Sequence, residues 1–227
     1  MQTRHLAMLS ALIGLTACTA AASNAPLPDP AYDEAKPTTH STETAVLAGG
    51  CFWGMQSVFE HVRGVRKVWA GYSGGDASTA QYQVVSEGNT GHAESVKIAF
   101  DPAVVSYGQL LKIYFAVAHD PTTLNRQGPD AGTQYRSEIF FASPDQKKIA
   151  ESYIAQLNAA KVFDSTIVTQ LAPMRGFYAA EDYHQDYARK HPNDMYIVIN
   201  DAPKVAQLKQ VFPAMYQDEQ MVVDVKL

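Results

Sequence analysis

Cys51 stands in the run Gly49-Gly50-Cys51-Phe52-Trp53-Gly54, one sulfur set between glycines and two large aromatics. A thiol in that setting is a candidate nucleophile. The preceding glycines free the backbone for a tight strand-to-helix turn, and a helix N-terminus offers unpaired N–H groups that favour a thiolate. At an unperturbed pKa near 8.5 only about 3% of a thiol ionises at pH 7, whereas a pKa of about 7 gives half. The competing reading is a structural cysteine packed as a small hydrophobe. Phe52 and Trp53 occupy adjacent helical positions, so both cannot share the buried stripe of Met55 and Val58. At least one is expected to line the space that Cys51 faces, an aromatic wall suited to a methyl group on sulfur.

Glu94 is the second informative residue. Along His92–Phe100 the side chains of Val96, Ile98 and Phe100 alternate onto one strand face, and His92 and Glu94 share their parity. A carboxyl group on an apolar face is kept neutral by desolvation. It is then a natural general acid near pH 7. The bland reading is that Glu94 lies at the strand end and reaches solvent or an arginine. Tyr82, Asp130 and Tyr135 lie in or beside loops, as hydrogen-bonding groups or as half-buried packing. In the run Glu181–Tyr187 the acids suit a helix start. There Tyr183 adjoins His184, which opens a second chemistry: a hydrolase with Cys51, His184 as base and Asp186 or another acid as orienter. Three metal ligands of matched spacing are absent, and no metal site is expected.

The elements that must position these groups follow from periodicity. Ala45–Ala48 reads as a buried strand, and Met55, Val58, Phe59 and Val62 recur at helical spacing directly after Cys51. Val65–Tyr72 reads as extended, Thr79 as the cap of a short helix carrying Tyr82, and His92–Phe100 as a strand. Tyr107 to Ala118 and the segment after Ser143 give two amphipathic helices, the latter with Pro at its first position and Gln three after the cap. A long polar loop, His119–Gln134, separates them, and a strand is expected at Ser137–Phe141. Further on, Thr166–Leu171 reads as strand, Ala180–Arg189 as helix, Tyr196–Ile199 as strand and Pro203–Phe212 as helix. The irregular alternation predicts an α+β fold, a two-layer α/β sandwich around a mixed sheet.

The N-terminus carries a different message. Arg4 and His5 precede an apolar run, Leu6–Leu15, too short to span a bilayer permanently and suited to a cleaved signal peptide. Leu15-Thr16-Ala17-Cys18 has the form of a lipobox, with Cys18 acylated after cleavage; ordinary cleavage after Ala20 or Ala22 is the alternative. The expected organisation is a signal peptide over 1–17, a lipidated N-terminus and flexible tether over 18–44, and a catalytic domain over 45–227. The tether reading rests on a composition of Ala, Ser, Thr and Pro with almost no large apolar residues. An exported, lipid-anchored monomer in the cell envelope or periplasm is expected. The chain has two cysteines and a formal net charge of −5, so Cys51 is then the sole free thiol, and no basic run marks a nucleic-acid face.

Six motifs in order resemble the A-type methionine sulfoxide reductases, the peptide-methionine (S)-S-oxide reductases. They are Gly49–Gly54, Gly71–Gly75, Thr90–Glu94, His119–Thr123, Gly128–Ser137 and Tyr183–Gln185, and the resemblance spans about Thr44 to Tyr216. It implies an α/β sandwich without a bound cofactor, acting on methionine sulfoxide, free or in proteins. It implies that Cys51 attacks the sulfoxide sulfur and Glu94 protonates the departing oxygen, while Tyr82 and Tyr135 hold that oxygen. Phe52 and Trp53 then form the methyl pocket, with Asp130 near the thiol and Tyr183 and His184 beside the substrate. Some family members carry resolving cysteines near the C-terminus. Tyr196–Leu227 contains none, so an external thiol reductant, thioredoxin or similar, is expected to reduce a Cys51 sulfenic acid. A non-catalytic lipoprotein binding a ligand in its aromatic pocket is the remaining alternative.

Overall fold

The computed structural model describes residues 27–218. In chain order the elements are β1 (Glu43–Gly49), α1 (Phe52–Glu60), β2 (Val65–Ser73), α2 (Tyr82–Val85), β3 (Ala93–Phe100), α3 (Tyr107–Ile113), β4 (Arg126–Gln127), β5 (Asp130–Ala131), β6 (Ser137–Phe141), α4 (Pro144–Ala160), β7 (Gln170–Pro173), β8 (Phe177–Ala179), α5 (Tyr187–Lys190) and α6 (Ala202–Val211). Six strands form one sheet in the order β7-β6-β1-β3-β2-β8, and β4 pairs with β5 as a separate ribbon. Neighbours in the large sheet are antiparallel except β6 and β7, so the sheet is mixed and the fold is α+β, as expected.

Strand alternation divides the apolar residues between two faces. Leu47, Val96, Ile98 and Ile139 join the main core with Met55, Val58 and Phe59 of α1 and with Leu110 and Leu111 of α3. Val46, Ala48, Ala93 and Phe140 form a smaller cluster on the other face. Each fully buried aliphatic or aromatic side chain contributes roughly 1.5–3 kcal/mol. The α4 cap agrees with the sequence, since Ser143 Oγ accepts from Gln146 N–H at 3.1 Å, and on α3 Ser106 and Gln109 add a reciprocal capping box.

Several expected elements are corrected, each for a local hydrogen-bonding reason. Asp76, not Thr79, caps the turn before α2, accepting from Ser78 N–H at 3.0 Å. The loop His119–Gln134 holds the β4–β5 ribbon, and Gln127 pins it through Asp120 N–H at 3.0 Å. Strand pairing in Thr166–Leu171 begins only at Gln170, because Ile167 N–H is taken by Asn158 and Val168 N–H by the Pro121 carbonyl. No continuous helix spans Ala180–Arg189. Ala180 still bonds to the β2 backbone, Gln185 brackets Ala70 N–H and C=O, and Asp186 is left-handed at φ 57°. Tyr196–Ile199 is not a strand but the start of a π-type turn, Ile197–Asp201, seeded by Asp194 and running into α6.

The segment 27–42 also departs from the flexible tether predicted for it. It has no helix or strand, yet it is docked along α3 and α4. Asp33 accepts from Ser106 Oγ and from Gly108 N–H at 3.0 Å, and Lys112 pairs with Asp29 at 2.7 Å. Tyr153 OH donates to the Pro28 carbonyl at 2.9 Å, and Ala31 N–H to Gln156 Oε1 at 2.8 Å. Polar contacts supply the order that apolar content does not. The expected signal peptide and Cys18 lie outside the described residues.

Candidate active site

β1 ends at Gly49, and the chain turns at once into α1. Gly50 adopts φ 94°, which disfavours any L side chain, and a Cβ there would lie 2.6 Å from Gln127. Cys51 is therefore delivered to the N-cap position of α1, nearly buried, and its side chain makes no cap hydrogen bond. The helix terminus does not prevail, contrary to the expected thiolate. Burial pushes the thiol well up, Glu94 and Asp201 push it further, and the Trp53 N–H and Tyr196 hydroxyl, which favour the thiolate, offset only part. The free site thus holds a protonated thiol.

Glu94 lies opposite Tyr72 in the β2–β3 register and is 3% exposed. Its Oε2 accepts from Phe52 N–H at 3.0 Å, which places the carboxyl group one residue from Cys51. Desolvation raises it to about 8, against the lowering effect of the Phe52 hydrogen bond and with some help from Asp130. A neutral carboxylic acid at pH 7 is the state that the strand parity predicts, and neither solvent nor an arginine claims it.

The other predicted residues gather around this pair. Tyr82 and Tyr135 are both raised, first by burial and then by the charge of Glu94, and both feel Cys51. Asp130, on β5, accepts a short hydrogen bond from Tyr196 OH. Phe52 is fully buried against Tyr72 at 5.8 Å and His184 at 5.0 Å. Trp53 is half-buried, stacks on Tyr187 at 3.8 Å and donates through Nε1 to His184 Nδ1 at 3.1 Å. His184 is buried and held below its usual pKa by desolvation, so it is neutral. No hydrogen bond joins it to Cys51 among the described residues, which removes the geometric basis of a Cys51–His184 hydrolase. Tyr183 packs on His184 at 4.2 Å but is 54% exposed, at the rim.

Sequence reasoning missed three participants. Tyr196, expected in a strand, reaches both Cys51 and Asp130 from the C-terminal segment. Asp201 is 1% exposed, touches α1 at Gly54, and pairs with Lys204 at 3.3 Å. Glu181 fixes two tyrosines, accepting from Tyr72 OH and from Tyr82 N–H at 2.9 Å each. Only tertiary folding brings these to the site, and no local spacing marks them. A cavity of about 580 Å³ adjoins the sulfur, lined also by Leu27, Phe115, Asp130, Tyr196 and Lys204. Phe52, Trp53, Tyr82, Glu94 and Tyr135 do not line it.

Comparison with known proteins agrees with this geometry. The family model described as peptide methionine sulfoxide reductase matches residues 43–216. The chain is 57% identical over 182 residues to peptide methionine sulfoxide reductase MsrA 2 of Mesorhizobium japonicum, covering 80% of this chain and 93% of that one. It is 51% identical over 188 residues to MsrA 2 of Synechocystis, covering 82% and 88%. Among solved structures it is similar to methionine sulfoxide reductase A of Corynebacterium diphtheriae, with TM-score 0.59 and 35% identity over 74% of this chain and 84% of that one. It is likewise similar to reduced Mxr1 of Saccharomyces cerevisiae, with TM-score 0.59 and 32% identity over 69% and 92%. With the thiol, the neutral acid and the aromatic wall in place, the chain belongs to the peptide methionine sulfoxide reductases of A type and is an oxidoreductase acting on methionine sulfoxide.

Proposed function

We propose that Cys51 reduces methionine-(S)-sulfoxide, free or in proteins, through a sulfenic acid, and that an external thiol restores it. The observation that carries this reading is the Glu94 carboxyl group, buried, neutral and hydrogen-bonded to the residue after Cys51. A sulfoxide oxygen leaves sulfur poorly, so attack has to be coupled to proton delivery, a contribution of about 10²–10⁴-fold. The Cys51 sulfur bonds to the sulfoxide sulfur while Glu94 protonates the oxygen, with Tyr82 and Tyr135 donating to it. Collapse transfers the oxygen to Cys51, leaving methionine and Cys51–SOH, and the proton released by the thiol returns to Glu94. Phe52 and Trp53 receive the methyl group, Asp130 orients Tyr196 against the thiol, and His184 holds the Trp53 ring with Tyr183 at the rim.

Regeneration uses two outside thiols. The first condenses with the sulfenic acid, releasing water and forming a mixed disulfide; the second releases the Cys51 thiol and an external disulfide. A thioredoxin-type dithiol supplies both, and no bound cofactor enters. The signal sequence and lipobox around Cys18 support an exported, lipid-anchored monomer that repairs oxidised envelope proteins. Incubation with each methionine sulfoxide epimer and dithiothreitol, followed by chromatography of methionine, tests the reaction. Turnover of the S epimer alone is expected, and equal turnover of the R epimer overturns the assignment.

A further inference from the structure

The cavity of about 580 Å³ beside Cys51 is separate from the groups that receive the sulfoxide's methyl and oxygen. Phe52, Trp53, Tyr82, Glu94 and Tyr135 all lie off its lining, whereas Cys51, Asp130 and Tyr196 border it. Once oxygen has passed to Cys51, the acid and the two tyrosines that hold it occupy one side of the sulfur. A thiolate displaces oxygen from sulfur in line, entering opposite the bond that breaks. It therefore needs a side that those three groups leave clear, and the cavity reaches the sulfur from such a side. Its volume is in the range of about 300–1,000 Å³ typical of small-ligand sites.

The charge of the cavity is one-sided. Asp120, Asp130 and Asp164 line it against a single lining cation among the described residues, Lys204, whose ammonium already pairs with Asp201 at 3.3 Å. His119 adds no charge, since burial holds it down at about 3. Asp120 and Asp164 are exposed, so their field acts on an incoming molecule before it reaches the sulfur. Resting on the sulfenic-acid reading of Cys51, we infer that this cavity is the entrance for the reductant. It selects a cysteine thiol on a neutral or basic peptide segment over one flanked by carboxylates. The thiolate sulfur bonds to the Cys51 sulfur while the oxygen leaves as water with the Glu94 proton, and the proton shed by the thiol restores Glu94. A second thiol then attacks the peptide sulfur of the mixed disulfide, releasing the Cys51 thiol and a peptide disulfide.

The test uses the full chain carrying Cys18→Ser, converted to Cys51–SOH with stoichiometric methionine-(S)-sulfoxide and checked by intact mass. It is then mixed with acetyl-Lys-Cys-Lys-amide, acetyl-Ala-Cys-Ala-amide or acetyl-Glu-Cys-Glu-amide. Rates of mixed-disulfide formation are normalised to the thiolate fraction of each peptide. At about 10 mM ionic strength the basic peptide should react at least about tenfold faster than the acidic one, with the neutral peptide between them. The gap should narrow as salt rises to about 0.5 M. Asp164→Lys leaves two acids facing two cations and should bring the ratio within about twofold, and Gln207→Lys, on α6, should lower it to about threefold. Glu151→Lys changes the net charge as much from outside the lining and should keep the ratio. A parent ratio of one or below, a ratio that both lining variants leave unchanged, or an equal loss in Glu151→Lys overturns this inference while the sulfenic acid stands. Failure to form Cys51–SOH overturns the reading beneath it and this inference with it.

Discussion

Phe52 N–H donates to Glu94 Oε2 at 3.0 Å, so the backbone that presents Cys51 also locates the carboxyl group beside it. Phe52 and Glu94 are 42 residues apart in sequence, yet this bond fixes the relative position of α1 and β3 at the site. The two groups are coupled electrostatically. A charged Glu94 raises the Cys51 thiol, so the thiolate forms more easily while Glu94 holds its proton.

Glu94→Gln should therefore slow sulfenic-acid formation by at least about tenfold in single turnover. In the parent enzyme the rate should fall as pH rises through about 8, where Glu94 loses its proton, and the variant should lack that limb. A single-turnover rate within about twofold of the parent at pH 7 would exclude Glu94 as the acid.

The same group predicts the pH dependence of stability. Its folded pKa of about 8 lies above the unfolded value, so the native state binds the extra proton between roughly pH 4.5 and 8. That contribution is fully present below the unfolded pKa and is lost as pH rises towards 8. Thermal unfolding of the parent relative to Glu94→Gln should show the parent losing ground from pH 5 to 8. An identical pH dependence in both proteins would contradict the desolvated state of Glu94.

The expected α+β sheet, the cap at Ser143, and the separate roles of Cys51 and Glu94 were legible in the sequence, because each rests on local periodicity or spacing. Glu94 was readable from strand parity alone. Tyr196 was not: its apolar neighbours suggested a strand, while Asp194 starts a helical turn that carries its hydroxyl to Asp130, 66 residues earlier in the chain. The thiol state was misjudged for a similar reason. A helix N-terminus is visible in sequence, but the burial and the Asp201 carboxyl group that oppose it belong to the folded chain.

Tyr196→Phe removes the hydroxyl that donates to Asp130 and that favours the Cys51 thiolate. Its loss should raise the thiol pKa and slow iodoacetamide alkylation of Cys51 at pH 8. A hydrogen bond of about 0.5–1.5 kcal/mol corresponds to roughly a two- to tenfold effect. An unchanged alkylation profile would remove Tyr196 from the thiol's environment.

Gly54→Ala probes the contact between α1 and the C-terminal segment. The added Cβ would fall 2.1 Å from Asp201 Oδ1, and overpacking of this kind costs about 1–3 kcal/mol. Urea unfolding should report that loss, and Asp201→Ala in the same chain should recover part of it through coupling between neighbours. Additive effects of the two substitutions would place Asp201 away from the helix.

The last prediction concerns recycling. Once Cys18 is acylated or removed, Cys51 is the sole thiol, so one equivalent of sulfoxide should leave a sulfenic acid rather than an internal disulfide. A neighbouring cysteine would condense with that species, but the chain offers none between Tyr196 and Leu227. Instead Tyr196 stands at the sulfur from that segment, a hydroxyl that hydrogen-bonds but cannot resolve it. The cavity beside Cys51 supplies the approach for an outside thiol. Intact mass of the Thr19–Leu227 chain after stoichiometric S-sulfoxide should rise by about 16 Da, and a dienone trap should convert that species to its adduct. A covalent dimer through Cys51, or methionine release with no mass change, would contradict the one-cysteine cycle.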